Sequence, residues 1–330
     1  MSETDTLISK LLASDEAAIR YKTLVNVLDR PLNSPETQAV QAAIPTSPRV
    51  QALLSERDET GTIPHHPYAK WRGAHWVLAC LADIGYPPGD QSLLPLMGQV
   101  YHWLLGKEHE LNIRLIAGRT RRCASQESNA LYASLTLGLA DSRSDELAAR
   151  LVRWQWPDGG WNCDRRPEAT NSSYHESLIP LRALSLYARL SGDPHAASAA
   201  QRAAEVFLKR QLFKRQRDGE IIAKEFITLH YPAYWHYDIL FALKVLAECG
   251  WIGDPRCIPA LELLESKHLP GGGFPAEAKY YRTSLKAATG VSLVGWGVTS
   301  QIQMNEFVTA DALFVLKSAG RLLTQDSILR

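Results

Sequence analysis

The stretch Trp154–Tyr187, WQWPDGGWNCDRRPEATNSSYHESLIPLRALSLY, decides the fold. A helical segment ends in the ring pair Trp154 and Trp156, and Pro157-Asp158-Gly159-Gly160 then forces a turn. Trp161 opens a polar loop, and Ser172-Ser173-Tyr174-His175-Glu176 starts a second, largely apolar helix. Within that helix Leu178, Leu181, Leu184, Leu186 and Tyr187 cover much of the circumference. A helix that is apolar over most of its surface is buried on more than one side.

The same unit recurs in degraded copies from about residue 49 onward: helix A, a Gly-bearing turn, a polar or aromatic loop, then helix B. Turn glycines fall near 61, 160, 219 and 272, and helix B starts near 71, 127, 174, 236 and 308. The fifth copy is interrupted by an insertion rich in Gly, Thr and Ser. Residues 1–48 read as an N-terminal helical extension, with a cap at Ser14-Asp15 before Glu16. Residues 49–330 read as one repeat domain. The β-prone pieces Gly219–Ile222 and Val291–Val294 stand alone, so the fold class is all-α, and a closed double ring suits the mostly apolar B helices better than an open solenoid.

Composition excludes several function classes. The 330 residues are 45% apolar and 22% charged, with a net charge of +1, which offers no general attraction for nucleic acid or anionic membranes. No apolar run approaches the roughly 20 residues of a transmembrane span. The N-terminal residues are acidic without a signal-peptide layout, and five cysteines lack any CxxC spacing. The expectation is a cytoplasmic protein with reduced thiols.

The motifs resemble those of a known superfamily. Gln155-Trp156-Pro157-Asp158-Gly159-Gly160-Trp161 resembles the QW-type repeat of squalene and other terpenoid cyclases. Gly159-Gly160-Trp161 followed by Ser173-Tyr174-His175-Glu176-Ser177-Leu178 is similar to the GGF…YHT…L segment of protein prenyltransferase β-subunits. The chain as a whole resembles bacterial proteins labelled squalene cyclase-like. The resemblance covers about residues 49–320 and implies an α/α toroid of about five helical hairpins around a central cavity. Its chemistry does not carry over. The sequence has no DxDD acid motif, and although His175 sits where the prenyltransferase zinc histidine would, no Asp-x-Cys precedes it.

Candidate site residues cluster where each helix B begins, since free N–H groups and the positive helix end face one mouth there. The densest run is Leu229–Asp238, in which His230 and Asp238 suit base and acid roles and Tyr231, Tyr234, Trp235, His236 and Tyr237 supply rings. An aromatic plug capped by Asp238 is the competing reading. His175, Glu176 and Glu127 are further candidate catalytic groups, with a carboxylate pair across the ring in view. Trp71, Arg72, Trp161, Tyr174, Asn305 and Glu306 complete the expected substrate-binding set. No metal and no cofactor are expected, because no ligand spacing is legible. The expectation is thus a terpenoid cyclase- or prenyltransferase-like protein holding an apolar or isoprenoid small molecule in an aromatic cavity, with acid–base chemistry from the helix-B acids. Two alternatives stay open: a carbohydrate-active toroid hydrolase or lyase, and a non-catalytic binding or scaffold protein.

Overall fold

The computed structural model describes residues 2–283 and 289–322. Residues 284–288, part of the fifth-copy insertion, and residues 323–330 lie outside the described residues. Three short helices come first: α1 (Glu3–Leu12), α2 (Ala17–Lys22, continued by a π turn over Thr23–Val27) and α3 (Pro35–Ala43). Five A–B pairs follow. They are α4 (Pro48–Leu54) with α5 (Ala74–Asp83), and α6 (Leu94–Leu104), then the single turn α7 (Lys107–Glu110), with α8 (Ala124–Thr136). Next are α9 (Ser142–Trp154) with α10 (Tyr174–Ser191), α11 (Pro194–Leu208) with α12 (Ile239–Glu248), and α13 (Ile258–Glu265) with α14 (Glu306–Ser318).

The expected B-helix starts lie within three residues of the observed ones, and at α12 and α14 a side-chain cap fixes the start. Asp238 accepts from the Phe241 N–H, and Asn305 accepts from the Phe307 and Val308 N–H groups, so each side chain satisfies donors that the first turn leaves free. Proline at the first turn of α3, α4, α11 and α13 costs no hydrogen bond there. At the N-terminus the cap of α2 is Glu16 instead of Ser14-Asp15. The Ser14 hydroxyl donates 3.0 Å to Glu306 at the start of α14.

The B helices lie side by side in chain order, α5 on α8, α8 on α10, α10 on α12 and α12 on α14. α2 and its π turn pack on α14, and residues from α1 and α2 join the same apolar core as the helices that follow. Two small sheets sit in the loops. β1 (Arg114–Ile116) pairs antiparallel with β2 (Arg119–Arg121), and β3 (Arg282–Thr283) pairs parallel with β4 (Val291–Ser292). The β-prone pieces therefore do not stand alone: Val291 pairs with Arg282, and Ile221 bridges to Lys214. Their partners come from loop segments without strand-like patterning, which is why the sequence does not reveal them.

The Trp154–Tyr187 turn joins four parts of the chain. Trp156 N–H donates to Gly160 O at 2.8 Å and Gly159 N–H to Trp156 O at 3.0 Å, closing the turn. Gln155 Nε2 reaches Ala199 O on α11 at 2.7 Å, Trp156 Nε1 reaches Thr120 O on β2 at 2.8 Å, and Trp161 Nε1 returns to Leu151 O on α9 at 2.9 Å. Asp158 accepts from the backbone and the hydroxyl of Ser172 just ahead of α10.

Candidate functional site

Two polar regions lie at different levels along the B helices, one at their N-terminal ends and one from mid-helix toward their C-terminal ends. At the N-terminal ends, most of the sequence-expected residues are engaged in packing or capping. Asp238 is buried, with Oδ1 accepting from Phe241 N–H at 2.8 Å and Oδ2 accepting from His230 N–H at 2.9 Å, while His230 Nδ1 lies 2.6 Å from Oδ2. Trp71 stacks on Tyr234 with centroids 3.9 Å apart, and its Nε1 donates to Tyr280 O. Tyr231 stacks on Phe307 at 4.5 Å, Tyr174 packs among Phe207, Phe226 and Tyr237, and Tyr237 OH donates to Leu212 O at 2.6 Å. Trp161 is buried against α9, Arg72 pairs with Glu56, Asn305 caps α14, and Glu306 binds Ser14. Replacing Asp238 by Ala removes the cap and the partner of a buried histidine, and is expected to cost about 2 kcal/mol in a urea melt.

Trp235, His236 and Tyr280 form a three-ring stack with centroids 4.1 and 3.9 Å apart, and the His175 ring meets Trp235 at 5.4 Å. These rings are only half-buried except at their shared faces. Burial pushes His236 down to about 3 and lowers His175, so both are neutral at pH 7.

The two candidate carboxyls of α8 and α10 differ sharply. Burial pushes Glu127 up, but Arg122 and His109 outweigh it and hold it below the usual range. His109 Nε2 is 2.7 Å and Arg122 Nε 3.1 Å from Glu127 Oε1. Glu176 has no cationic partner among its contacts. Burial raises it, the Ser125 N–H at 3.0 Å and the Cys163 thiol at 3.7 Å lower it, and Glu127 raises it further. Glu127 and Glu176 are therefore the two candidate acids that feel each other's charge, whereas Asp238 is tied to His230. Pro180 lies inside α10, so the Glu176 carbonyl lacks its usual helical donor.

Beside Glu176 stand Cys123, the residue just ahead of α8, and Cys163 from the loop after Trp161. Among the described residues these three form the one group of His, Cys, Asp or Glu whose potential ligand atoms all lie within 4.8 Å of one another. His175 is not in it.

The second region was missed by the sequence reading. Midway along and toward the C-terminal ends of the B helices, each helix contributes to a largely buried polar layer: Asp83 from α5, Tyr132 from α8, Arg182 from α10, Lys244 and Glu248 from α12, and Asp311 from α14. Lys22 of α2 joins them, with Nζ 2.7 Å from Asp311 and 3.5 Å from Asp83. Lys244 Nζ bridges Asp83 at 2.7 Å and Asp311 at 3.0 Å. Arg182 makes a two-pronged contact with Glu248 at 2.6 and 2.7 Å, reaches Asp83 at 3.3 Å and lies 3.9 Å over the Tyr132 ring. Tyr231 OH donates to Asp83 at 3.0 Å, so one residue of the aromatic run serves this layer. Burial pushes Asp83 up, but Lys22, Lys244 and Arg182 outweigh it and hold the carboxyl well below its usual value. Burial likewise lowers Lys244, and Asp311 and Asp83 reverse that to a raised value.

Next to this layer opens a cleft of about 510 Å³. Val25, Leu32, Leu135, Leu186 and Leu190 supply apolar wall, and Arg182, Lys244 and Glu248 border its inner side. Leu32 and Leu190 at the rim are 61% and 63% exposed. No helix among the described residues is long and apolar enough to cross a membrane.

No protein-family model matches the chain. No curated protein matches it either.

Proposed function

We propose that the chain is a terpenoid cyclase/prenyltransferase-like α/α toroid that binds an apolar, isoprenoid-class small molecule in the cleft at the C-terminal ends of its inner helices. The side-by-side B helices support the toroid reading. Lys22, which bridges Asp83 of the first B helix and Asp311 of the last, supports closure of the ring by α2. The observation that carries the binding reading is the cleft itself. Its volume of about 510 Å³ falls within the range of small-molecule sites, and its walls are branched apolar side chains beside convergent polar groups. Strongly shifted titratable groups border the same cleft, a frequent mark of functional sites. The exposed Leu32 and Leu190 at the rim gain most from being covered by an apolar ligand.

The reading assigns binding, not proton transfer, to the cleft. Glu176 is the candidate acid free of cationic partners, and it lies at the opposite end of α10. Mass spectrometry of small molecules carried through purification of the native protein tests the proposal. The protein is expected to carry an apolar compound that Leu186→Asp reduces by about tenfold, a 1.4 kcal/mol loss of binding, and that Glu176→Gln leaves in place. Equal ligand content in the protein and in Leu186→Asp would sink it.

A further inference from the structure

We propose that Cys123, Cys163 and Glu176 form a binding site for a divalent metal ion of the zinc class, with a fourth position left open. The three groups come from three chain segments that the fold holds in register. Arg121 bridges Asn162 and Arg122 N–H donates to Asn162 O at 3.3 Å, which sets Cys123 beside Cys163. Ser125 N–H holds the Glu176 carboxylate at 3.0 Å, which brings the first turn of α10 to the cap of α8.

The spacing fits the ion. With Zn–S near 2.3 Å and Zn–O near 2.0 Å, tetrahedral ligands lie roughly 3.8 Å apart for S···S and roughly 3.5 Å for S···O. Cys163 Sγ and Glu176 Oε1 are 3.7 Å apart, and all three ligand atoms fall within 4.8 Å. Closing onto an ion thus requires side-chain shifts of about 1 Å or less by comparison with those edges. Two thiolates and one carboxylate around a dication carry one net negative charge. Cys123 and Glu176 stand at the N-terminal ends of two helices of 13 and 18 residues, whose dipoles favour that charge. A thiolate pair selects a zinc-class ion over calcium or magnesium. Cys123 and Cys163 are only half-buried, so solvent or a substrate group reaches the fourth position, as in zinc sites with three protein ligands. This donor set differs from the Asp-x-Cys…His pattern of the prenyltransferases: it takes no aspartate, and His175 packs on Phe226 and Trp235 instead.

Titration of the reduced full-length protein with Co²⁺ reads the site directly. One equivalent is expected to bind with thiolate-to-cobalt charge-transfer absorption. Cys123→Ser and Cys163→Ser are each expected to lose about half of that intensity, and Glu176→Gln to keep the band while weakening binding by about tenfold. Absence of the charge-transfer band, or a band unchanged in both serine variants, overturns the proposal. So does a Cys123–Cys163 disulfide whose reduced form takes up no Co²⁺. If the variants do not fold, alkylation of the unaltered protein decides. Zn²⁺ is expected to slow modification of Cys123 and Cys163 but not of Cys249, and unchanged rates at the first two overturn the site.

Discussion

Asp83→Ala is expected to lower unfolding stability by about 3–5 kcal/mol, the cost of leaving buried cations without their partner. The side chains of Lys22 and Lys244 are 3% and 5% exposed, and Arg182 is nearly as enclosed. After the substitution, both ammonium groups must share Asp311, and the Tyr231 hydroxyl loses its acceptor as well. Because these groups act together, pairing Asp83→Ala with Lys244→Met is expected to cost less than the sum of the single changes, by about 1 kcal/mol or more. Urea melts of the three variants measure this. Additive losses would show that the layer is a set of separate contacts.

The same layer sets a pH window. Asp83 is held below its unfolded value, so its contribution is complete above about pH 4 and is lost as pH falls through the folded pKa. Lys244 is held above its unfolded value, so its contribution is complete below about pH 10 and is lost as pH rises further. These two groups therefore leave stability flat between those limits. The deficit of Asp83→Ala relative to the unaltered protein is expected to shrink in melts taken below about pH 4.

Gly159→Ala is the second large expected effect, at about 3 kcal/mol. Gly159 has φ +101°, a backbone conformation that strains any other residue, and an added Cβ would fall 2.4 Å from the carbonyl oxygen of Arg202 on α11. That oxygen belongs to helix backbone, so relief requires α11 to move away from the turn, adding an overpacking cost. The hydrogen bond from Gln155 to Ala199 on the same helix would be lost with it. Thermal melts of Gly159→Ala against Gly192→Ala separate the causes. Gly192 also has positive φ but faces open space, so it carries the backbone strain alone. Equal losses in the two variants would show that the close approach to α11 contributes nothing.

The contrast between these two predictions shows what the sequence makes legible. The turn around Gly159 and Gly160 announces itself because its cause is local: a Pro-Asp-Gly-Gly run, ring residues on both sides, and apolar periodicity beyond. The starts of α12 and α14 follow from the adjacent capping side chains Asp238 and Asn305. The buried charge layer has no local cause. Asp83 is the one acid of α5, Lys244 shares α12 with Glu248, and Asp311 lies between Glu306 and Lys317 on α14, and only the packing of these helices brings the three within 3 Å or so of a partner. The Cys123–Cys163–Glu176 group is hidden for the same reason, since its three groups come from three separate segments and show no spacing along the chain. The aromatic run 229–238 was legible as dense in rings, but not as divided. Tyr231, Tyr234 and Tyr237 pack inward, while Trp235 and His236 stack at the surface-facing edge.

Photolabelling with a diazirine analogue of farnesol, followed by peptide mapping, tests the proposed binding region most directly, because cleft and aromatic mouth lie at opposite ends of the same helices. Label is expected on Leu135, Leu186 and Leu190, and an excess of unmodified farnesol is expected to suppress it. Competable label on Trp71 or Trp235 instead, or label that farnesol does not displace, would contradict the account.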